Sequence, residues 1–240
     1  MTQGLHPLAA NMVNQLNRVD VISNNLANAN TKGFKEDNLV EGSFNHYLDK
    51  AQKKGEDTLK LSEVMNTIPK IDGEYMNQEM GSITQTGNQL DFALNQEEMF
   101  FKVQKTDGDI ELTRDGSFKV LEGRLVTQNG YNVLDDNNQP IQVGDDNEFA
   151  LNISIVSSKF SNLDKTGNNN YKVNDFTQVN IVPNNNQNLL QGAVEQSNVS
   201  TIKTMVSLIE AQRKFEQDQK AINGIDELNS KVIEAIGNNR

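Results

Sequence analysis

A chain of 240 residues with 33 acidic and 22 basic side chains, and a formal charge of −11, is a poor nucleic-acid partner, because neutralising phosphates needs surplus Lys and Arg. Hydrophobic residues make up 35%; with glycine added the apolar share stays below the ~45–50% of a compact domain, which points to an elongated shape or to surface buried only against other subunits. There is no cysteine for a disulfide or thiolate metal site. No apolar run approaches the ~18–20 residues of a membrane span, and the N-terminus has neither the basic nor the apolar region of a secretory signal.

From Leu5 the apolar residues Leu8, Met12, Leu16, Val19, Ile22 and Leu26 fall at steps of three or four, the stripe of an amphipathic helix. Leu5, Met12, Val19 and Leu26 are spaced by sevens, the mark either of a helix that seeks a partner helix or of an ordinary helix facing a core. Asn24, Asn25, Asn28 and Asn30 then crowd the end of that helix although Asn is a mediocre helix former. Gly33 permits a turn out of the helix and Phe34 can anchor the chain beyond it. Residues 36–81 are polar and mixed in charge, a connector in which Pro69 and Gly73 are the punctuation.

The period then changes to two. Asp107-Gly108, Asp115-Gly116 and Asn129-Gly130 supply the positive φ of tight turns, and cut the segment into short strands with Phe100, Phe101 and Phe118 in their core. Phe149, Leu151, Ile153 and Ile155 alternate with polar residues, the pattern of a half-buried strand. The asparagine triplets Asn168 to Asn170 and Asn184 to Asn186 read as surface loops. Residues 82–190 are thus expected to form a mainly antiparallel β domain. The chain closes on a second helix, capped by Ser197 or Asn198, in which Ile202, Met205, Val206, Ile209, Phe215, Ile222, Ile225, Val232 and Ile236 recur at helical spacing past Gly224. A periodic run of more than thirty residues calls for bundle or coiled-coil packing.

Chemistry is hard to find. His6 and His46 lack a partner at metal-ligand spacing. The Asp135 to Asp146 run has Pro140 where a calcium loop needs its glycine, so it reads as a polar turn. Phosphate-binding glycine loops and the serine-nucleophile elbow are absent from the sequence. A carboxylate pair such as Asp107 with Glu111 or Asp115 would have to be assembled by the fold. No catalytic, cofactor-binding or metal residue is therefore assigned.

Three stretches carry a resemblance. The run NNLANANTKGFK from Asn24 to Lys35 resembles the N-terminal motif of the flagellar basal-body rod and hook proteins. QGAVEQSNV from Gln191 to Val199, followed by MVSLI from Met205 to Ile209 and AQRKF from Ala211 to Phe215, is similar to their C-terminal pattern. TGNQLDFAL from Thr86, TRDGSF from Thr113 and GRLV from Gly123 are similar to the β region those proteins share. The family usually has Gly just before the aromatic pair, where this chain has Glu98-Met99. Its length resembles the rod proteins, proximal or distal, rather than the longer hook.

The resemblance implies an α+β fold: helices in residues 1–35 and 191–240 pairing as a coiled coil, a connector over 36–81 and a β domain over 82–190. It implies a structural subunit, not an enzyme and without cofactors, that polymerises into a hollow helical tube transmitting torque across the periplasm. Its partners would be copies of itself, other rod and hook subunits and the flagellar type III export apparatus, with export needing no cleaved signal. Its assembly residues would be Asn24, Asn25, Leu26, Asn28, Thr31, Gly33, Phe34, Ser197, Asn198, Val199, Met205, Ile209, Gln212 and Phe215. The alternatives are a hook-type subunit, a periplasmic enzyme cutting peptidoglycan, and a secreted adhesin with helical stalks.

Overall fold

A computed structural model describes residues 5–43, 69–144, 150, 152–167, 169–184 and 188–237. His46, Asp146, Phe149, Leu151, Asn168, Asn185, Asn186 and the centre of the expected connector lie outside the described residues. The chain divides into two compact units: 1–27, 37–75 and 200–240 form one, and 28–36 with 76–199 the other. The fold is α+β, two helices and a mostly antiparallel sheet domain.

In the first unit, helix α1 (Leu5–Ala27) and helix α2 (Thr201–Gly237) pack on each other, and β1 (Asp37–Ser43) pairs with β2 (Pro69–Met76). The faces they use differ from the expected heptads. On α1 the buried residues are Gln15 and Asn25, flanked by half-buried Leu8, Asn11, Arg18 and Ile22, steps of three and four that trace one seam. Leu16 and Val13 are exposed, while Met12, Val19 and Leu26 are half-buried. On α2 the seam is Thr204, Leu208, Ala211, Phe215, Asp218, Ile222 and Ile225; Ile202, Met205, Val206 and Ile209 face away from it, each about half or more exposed.

Asn11 Nδ2 donates to Asp218 Oδ2 at 2.7 Å across that seam. Antiparallel helices in this register set Arg18 opposite Ala211 and Asn25 opposite Thr204, which accounts for the burial of Ala211 and Thr204. The helix end also differs from the expectation. Helix α2 starts at Thr201, with the Thr204 amide donating to the Ser200 carbonyl at 2.9 Å, so Ser197 and Asn198 lie ahead of it and do not cap it.

The second unit is built on β3 (Ile83–Gln85), β4 (Phe92–Leu94), β5 (Met99–Gln104), β6 (Ile110–Thr113), β7 (Lys119–Leu121), β8 (Arg124–Val126), β9 (Asn132–Val133), β10 (Ile155–Ser157), β11 (Leu163–Gly167), β12 (Asn170–Val173), β13 (Asn180–Val182), β14 (Leu189–Gln191) and β15 (Ala193–Glu195). Nine of these form one sheet in the order β11-β12-β6-β5-β9-β8-β7, with β10 joining β5 to β13; β14-β4 and β15-β3 are separate antiparallel pairs. Strand β5 is the centre. Successive side chains point to opposite faces, so Phe101 enters a core with Phe92, Phe118, Leu125 and Ile155, while Phe100 enters another with Leu112, Phe160, Leu163 and Tyr171. Edge-on contacts tie each core, Phe101 to Phe118 at 5.2 Å and Phe100 to Phe160 at 5.3 Å between ring centres.

Asp107-Gly108 turns β5 into β6 and Asn129-Gly130 turns β8 into β9, with positive φ at both glycines. Asp115-Gly116 is no hairpin: Gly116 has no positive φ and instead lets the Phe92 carbonyl pass where a Cβ would lie 1.9 Å away. The β7–β8 hairpin turns on Glu122 and Gly123, both at positive φ, a turn that the acidic residue disguised in the sequence. The alternation from Phe149 begins its strand only at Ile155; Ala150 and Asn152 are in 3-10 geometry and Ser154 is buried between Ile153 and Ile155. Asn170 is likewise no loop residue, being buried on β12 with its amide donating to Glu111 Oε2 at 2.9 Å.

Candidate functional site

The two terminal motifs meet inside the second unit. Past α1 the chain makes one turn, with the Thr31 amide donating to the Asn28 carbonyl and the Thr31 hydroxyl to Asn28 Oδ1. It then runs into the sheet unit through Gly33, whose φ of 67° only glycine adopts at little cost, and whose missing Cβ would lie 2.5 Å from the Arg114 backbone. The Gly33 amide donates to the Glu195 carbonyl at 2.8 Å. Phe34 follows, buried, with the Lys165 ammonium 4.5 Å from its ring centre.

Glu195 is the hub. Its Oε1 accepts from Lys35 Nζ at 2.8 Å and from the Gly81 amide at 3.0 Å; its Oε2 lies 2.6 Å from both Nε and a terminal nitrogen of Arg114. All three side chains are shut off from solvent. Two cations thus face one carboxylate, and backbone carbonyls offset the excess charge: Glu79 accepts from Lys35 at 2.6 Å, while Gln96, Glu97 and Met99 accept from the other terminal nitrogen of Arg114 at 2.8, 2.7 and 2.7 Å. Burial pushes the Lys35 amine below its ordinary range; Glu195 opposes that shift and Arg114 adds to it. A closed group of this kind offers a substrate no path. What it does is lock four chain segments, around residues 33–35, 79–81, 96–99 and 114, onto the strand that leads toward α2.

Asn198 completes the lock. Its Oδ1 accepts from the Glu36 amide at 2.7 Å and its Nδ2 donates to the carbonyls of Asn77 and Glu79 at 3.1 and 3.0 Å, while its own amide donates to the Phe34 carbonyl. Ser197 Oγ accepts from the buried Val199 amide. The segments leaving α1 and entering α2 are therefore bound to each other as well as to the sheet unit. Within the first unit, Asn25 is spent on the chain itself, its amide oxygen and nitrogen taking the Asp37 amide and carbonyl at 2.9 and 2.7 Å.

Apart from Asn25, the residues expected to act in assembly fall into two groups. Asn28, Thr31, Gly33, Phe34, Ser197, Asn198 and Val199 are brought together here. Asn24, Met205, Ile209 and Gln212 are exposed on the helices, and Leu26 and Phe215 are half-buried. Sequence reading missed Lys35, Arg114 and Glu195, although each stands in one of the three quoted stretches; a charged residue amid Gly, Phe and Val was the available signal. The carboxylates weighed for catalysis serve other ends: Asp107 and Glu111 flank Lys105 at 3.7 and 3.5 Å, and Asp115 accepts from the Ser117 hydroxyl at 2.6 Å. Asp135 holds a polar turn through the amides of Asn137 and Gln139. Among the described residues no group of His, Cys, Asp or Glu is placed to hold a metal ion, and no helix is long and apolar enough to cross a membrane.

Comparison with known proteins matches three families along the chain: flagella basal body rod protein over residues 10–35, flagellar hook protein FlgE/F/G D1 domain over 96–159, and flagellar basal body rod FlgEFG protein C-terminal over 190–235. The chain is 33% identical to the flagellar basal-body rod protein FlgF of Caulobacter vibrioides, an alignment covering 91% of each. It is 30% identical to the flagellar basal-body rod protein FlgG of Borreliella burgdorferi, over 95% of this chain and 96% of that one. To the flagellar hook-basal body complex protein FlhO of Bacillus subtilis it is 28% identical over 99% of both.

Proposed function

The chain belongs to the flagellar basal-body rod and hook family, a structural and not an enzymatic family, and from that premise we propose that it polymerises through α1 and α2 into the hollow helical tube of the rod. In this reading the two helices pair as a coiled coil, neighbouring pairs pack side by side as the wall of the tube, and the assembly carries torque across the periplasm. The chain travels unfolded through the type III export apparatus.

One observation supports this above the others. Helices α1 and α2 use one face for each other and leave Val13 and Leu16, and Ile202, Met205, Val206 and Ile209, uncovered within the chain. Apolar stripes beside a packed seam are what a helix carries when further copies cover it. The alternative of a peptidoglycan-cutting enzyme gains nothing from the closed, solvent-free charge cluster. Subunits joined by contacts that do not close into a ring make a filament.

The test is genetic and biochemical. Deleting the gene is expected to stop rod completion and motility; complete basal bodies in the deletion strain would refute the reading. Leu26→Asp or Phe215→Asp is expected to leave the sheet unit folded and to keep the chain out of basal bodies, since an unpaired charge at a packed seam costs several kcal/mol.

A further inference from the structure

The seam that α1 and α2 share is not the most apolar one these helices could make. On α1 it runs through Leu8, Asn11, Gln15, Arg18, Ile22 and Asn25, while Met12, Val19 and Leu26 are only half-buried and Val13 and Leu16 are exposed. On α2, Ile202, Met205, Val206 and Ile209 stay outside it. Apolar burial alone rewards covering those residues, so the pairing answers to something else. Gln15 makes the same point. It is buried at the seam, and among the described residues no donor reaches its Oε1, a cost that a seam chosen for stability alone avoids.

The α2 side of the seam holds a single charge. Thr204, Leu208, Ala211, Phe215, Ile222 and Ile225 are uncharged, and Asp218 is half-buried in line with them. Its carboxylate accepts from Asn11 Nδ2 at 2.7 Å, the length of a charge-assisted hydrogen bond. Pairing between like helices of two copies gives that carboxylate no such answer. Parallel α2 helices in register set Asp218 against Asp218; antiparallel ones set it on Phe215 or Ala211, whose side chains carry no donor. Two parallel α1 helices in register would likewise set Arg18 against Arg18.

We propose that Asp218, with Asn11 as its counterpart, is the residue that decides which helix α2 pairs with: it accepts α1 of its own chain and turns away the same face of α2 in a second copy. A polar or charged group inside a helix seam sets partner choice at a cost in stability, and the polar seam shows that trade. The seam is thereby reserved for pairing within the chain, although the two helices carry more apolar stripes elsewhere. The selection acts on the dilute chain and holds whether or not copies later pack as a rod.

The test uses the full-length chain in dilute solution, which has no cysteine of its own. Phe215→Cys places a thiol on the seam, facing α1 when pairing stays within the chain. After oxidation, covalent dimer is read on non-reducing gels across a concentration series. Adding Asn11→Leu and Asp218→Leu is expected to bring dimer in at a concentration about tenfold or more lower, the factor that a hydrogen bond to a charged group supplies. The midpoint of the helical circular-dichroism signal is expected to hold or rise in the leucine chain, which separates a selecting pair from one that only stabilises. Exchanging the two residues, Asn11→Asp with Asp218→Asn, keeps a carboxylate and an amide across the seam and is expected to return dimer formation to that of Phe215→Cys alone. Equal dimer formation with and without the leucines overturns the proposal. So does a lower helical midpoint without added dimer, and so does an exchanged chain that dimerises like the leucine chain.

Discussion

Replacing Glu195 with alanine removes the single carboxylate that faces Lys35 and Arg114, both fully buried. Stranding a buried charge by deleting its partner costs about 3–5 kcal/mol, and here two cations are stranded together. With 1 kcal/mol worth about 2–4 °C in a unit of this size, Glu195→Ala is expected to lower the melting temperature of the sheet unit by roughly 6–20 °C. Lys35→Met should be far milder, about 1 kcal/mol, because it leaves Arg114 and Glu195 paired one to one and the Glu79 carbonyl still accepts from Asn198. The pH dependence has a definite sign. Burial first, and Arg114 second, lower the Lys35 pKa in the folded chain against the pull of Glu195, so the unfolded state holds the proton longer and the stability contributed by Lys35 rises with pH through that lowered value up to the ordinary lysine range. The unaltered chain should therefore gain on Lys35→Met as pH increases. Urea unfolding of the full chain, followed by the fluorescence of tyrosines such as buried Tyr171, gives both numbers. A Glu195→Ala change within about 1 kcal/mol of the unaltered chain, or Lys35→Met the more damaging of the two, would refute the account of the charge cluster.

Gly33→Ala meets both a positive φ and the Arg114 backbone at 2.5 Å, and should cost about 2–5 kcal/mol in the same unfolding experiment. Asp115 has its pKa raised, by burial, against hydrogen bonds from Ser117 that lower it; the stability it contributes is full below the ordinary carboxylate value and lost as pH rises through the raised one. Asp115→Asn should therefore be the more stable chain at pH 7 and lose that advantage in acid; an advantage independent of pH would rule out titration as the cause. Gly224→Ala removes a flexible residue from an open stretch of α2 and should stabilise the helix by about 1 kcal/mol in the dilute chain, read as a higher midpoint of the helical circular-dichroism signal. A lower midpoint would mean that the helix needs the glycine to bend.

Local signals were legible where one residue decides the geometry. Asp107-Gly108 and Asn129-Gly130 turned as written because Gly supplies the positive φ, whereas Glu122-Gly123 hid behind a residue that rarely adopts it. The helices were legible in kind and length but not in facing. A stripe of Leu, Met and Val reads as the seam, yet the seam of α1 runs through Asn11, Gln15 and Asn25, and two of these polar choices are explained only by where they pack: Asp218 for Asn11, the Asp37 backbone for Asn25. Asn198 looked like a helix cap because caps are local; its partners at 36, 77 and 79 are not. The charge cluster was out of reach for the same reason, since spacing along the chain says nothing about three side chains that meet only after the sheet unit has folded.

That last fact bears on the order of events as the chain folds. Lys35 and Glu195 are 160 positions apart, and long-range closures of this kind come late because loop entropy must be overcome before any contact rewards it. A chain delivered from its N-terminus has Lys35 and Arg114 long before Glu195 arrives, and until then burying either cation is unfavourable. The segment after α1 cannot settle into the sheet unit until the residues just before α2 are present. A chain that ends before Glu195 therefore lacks the one carboxylate that lets Lys35 and Arg114 be buried together, and the joint between the segments flanking the two helices has nothing to close on.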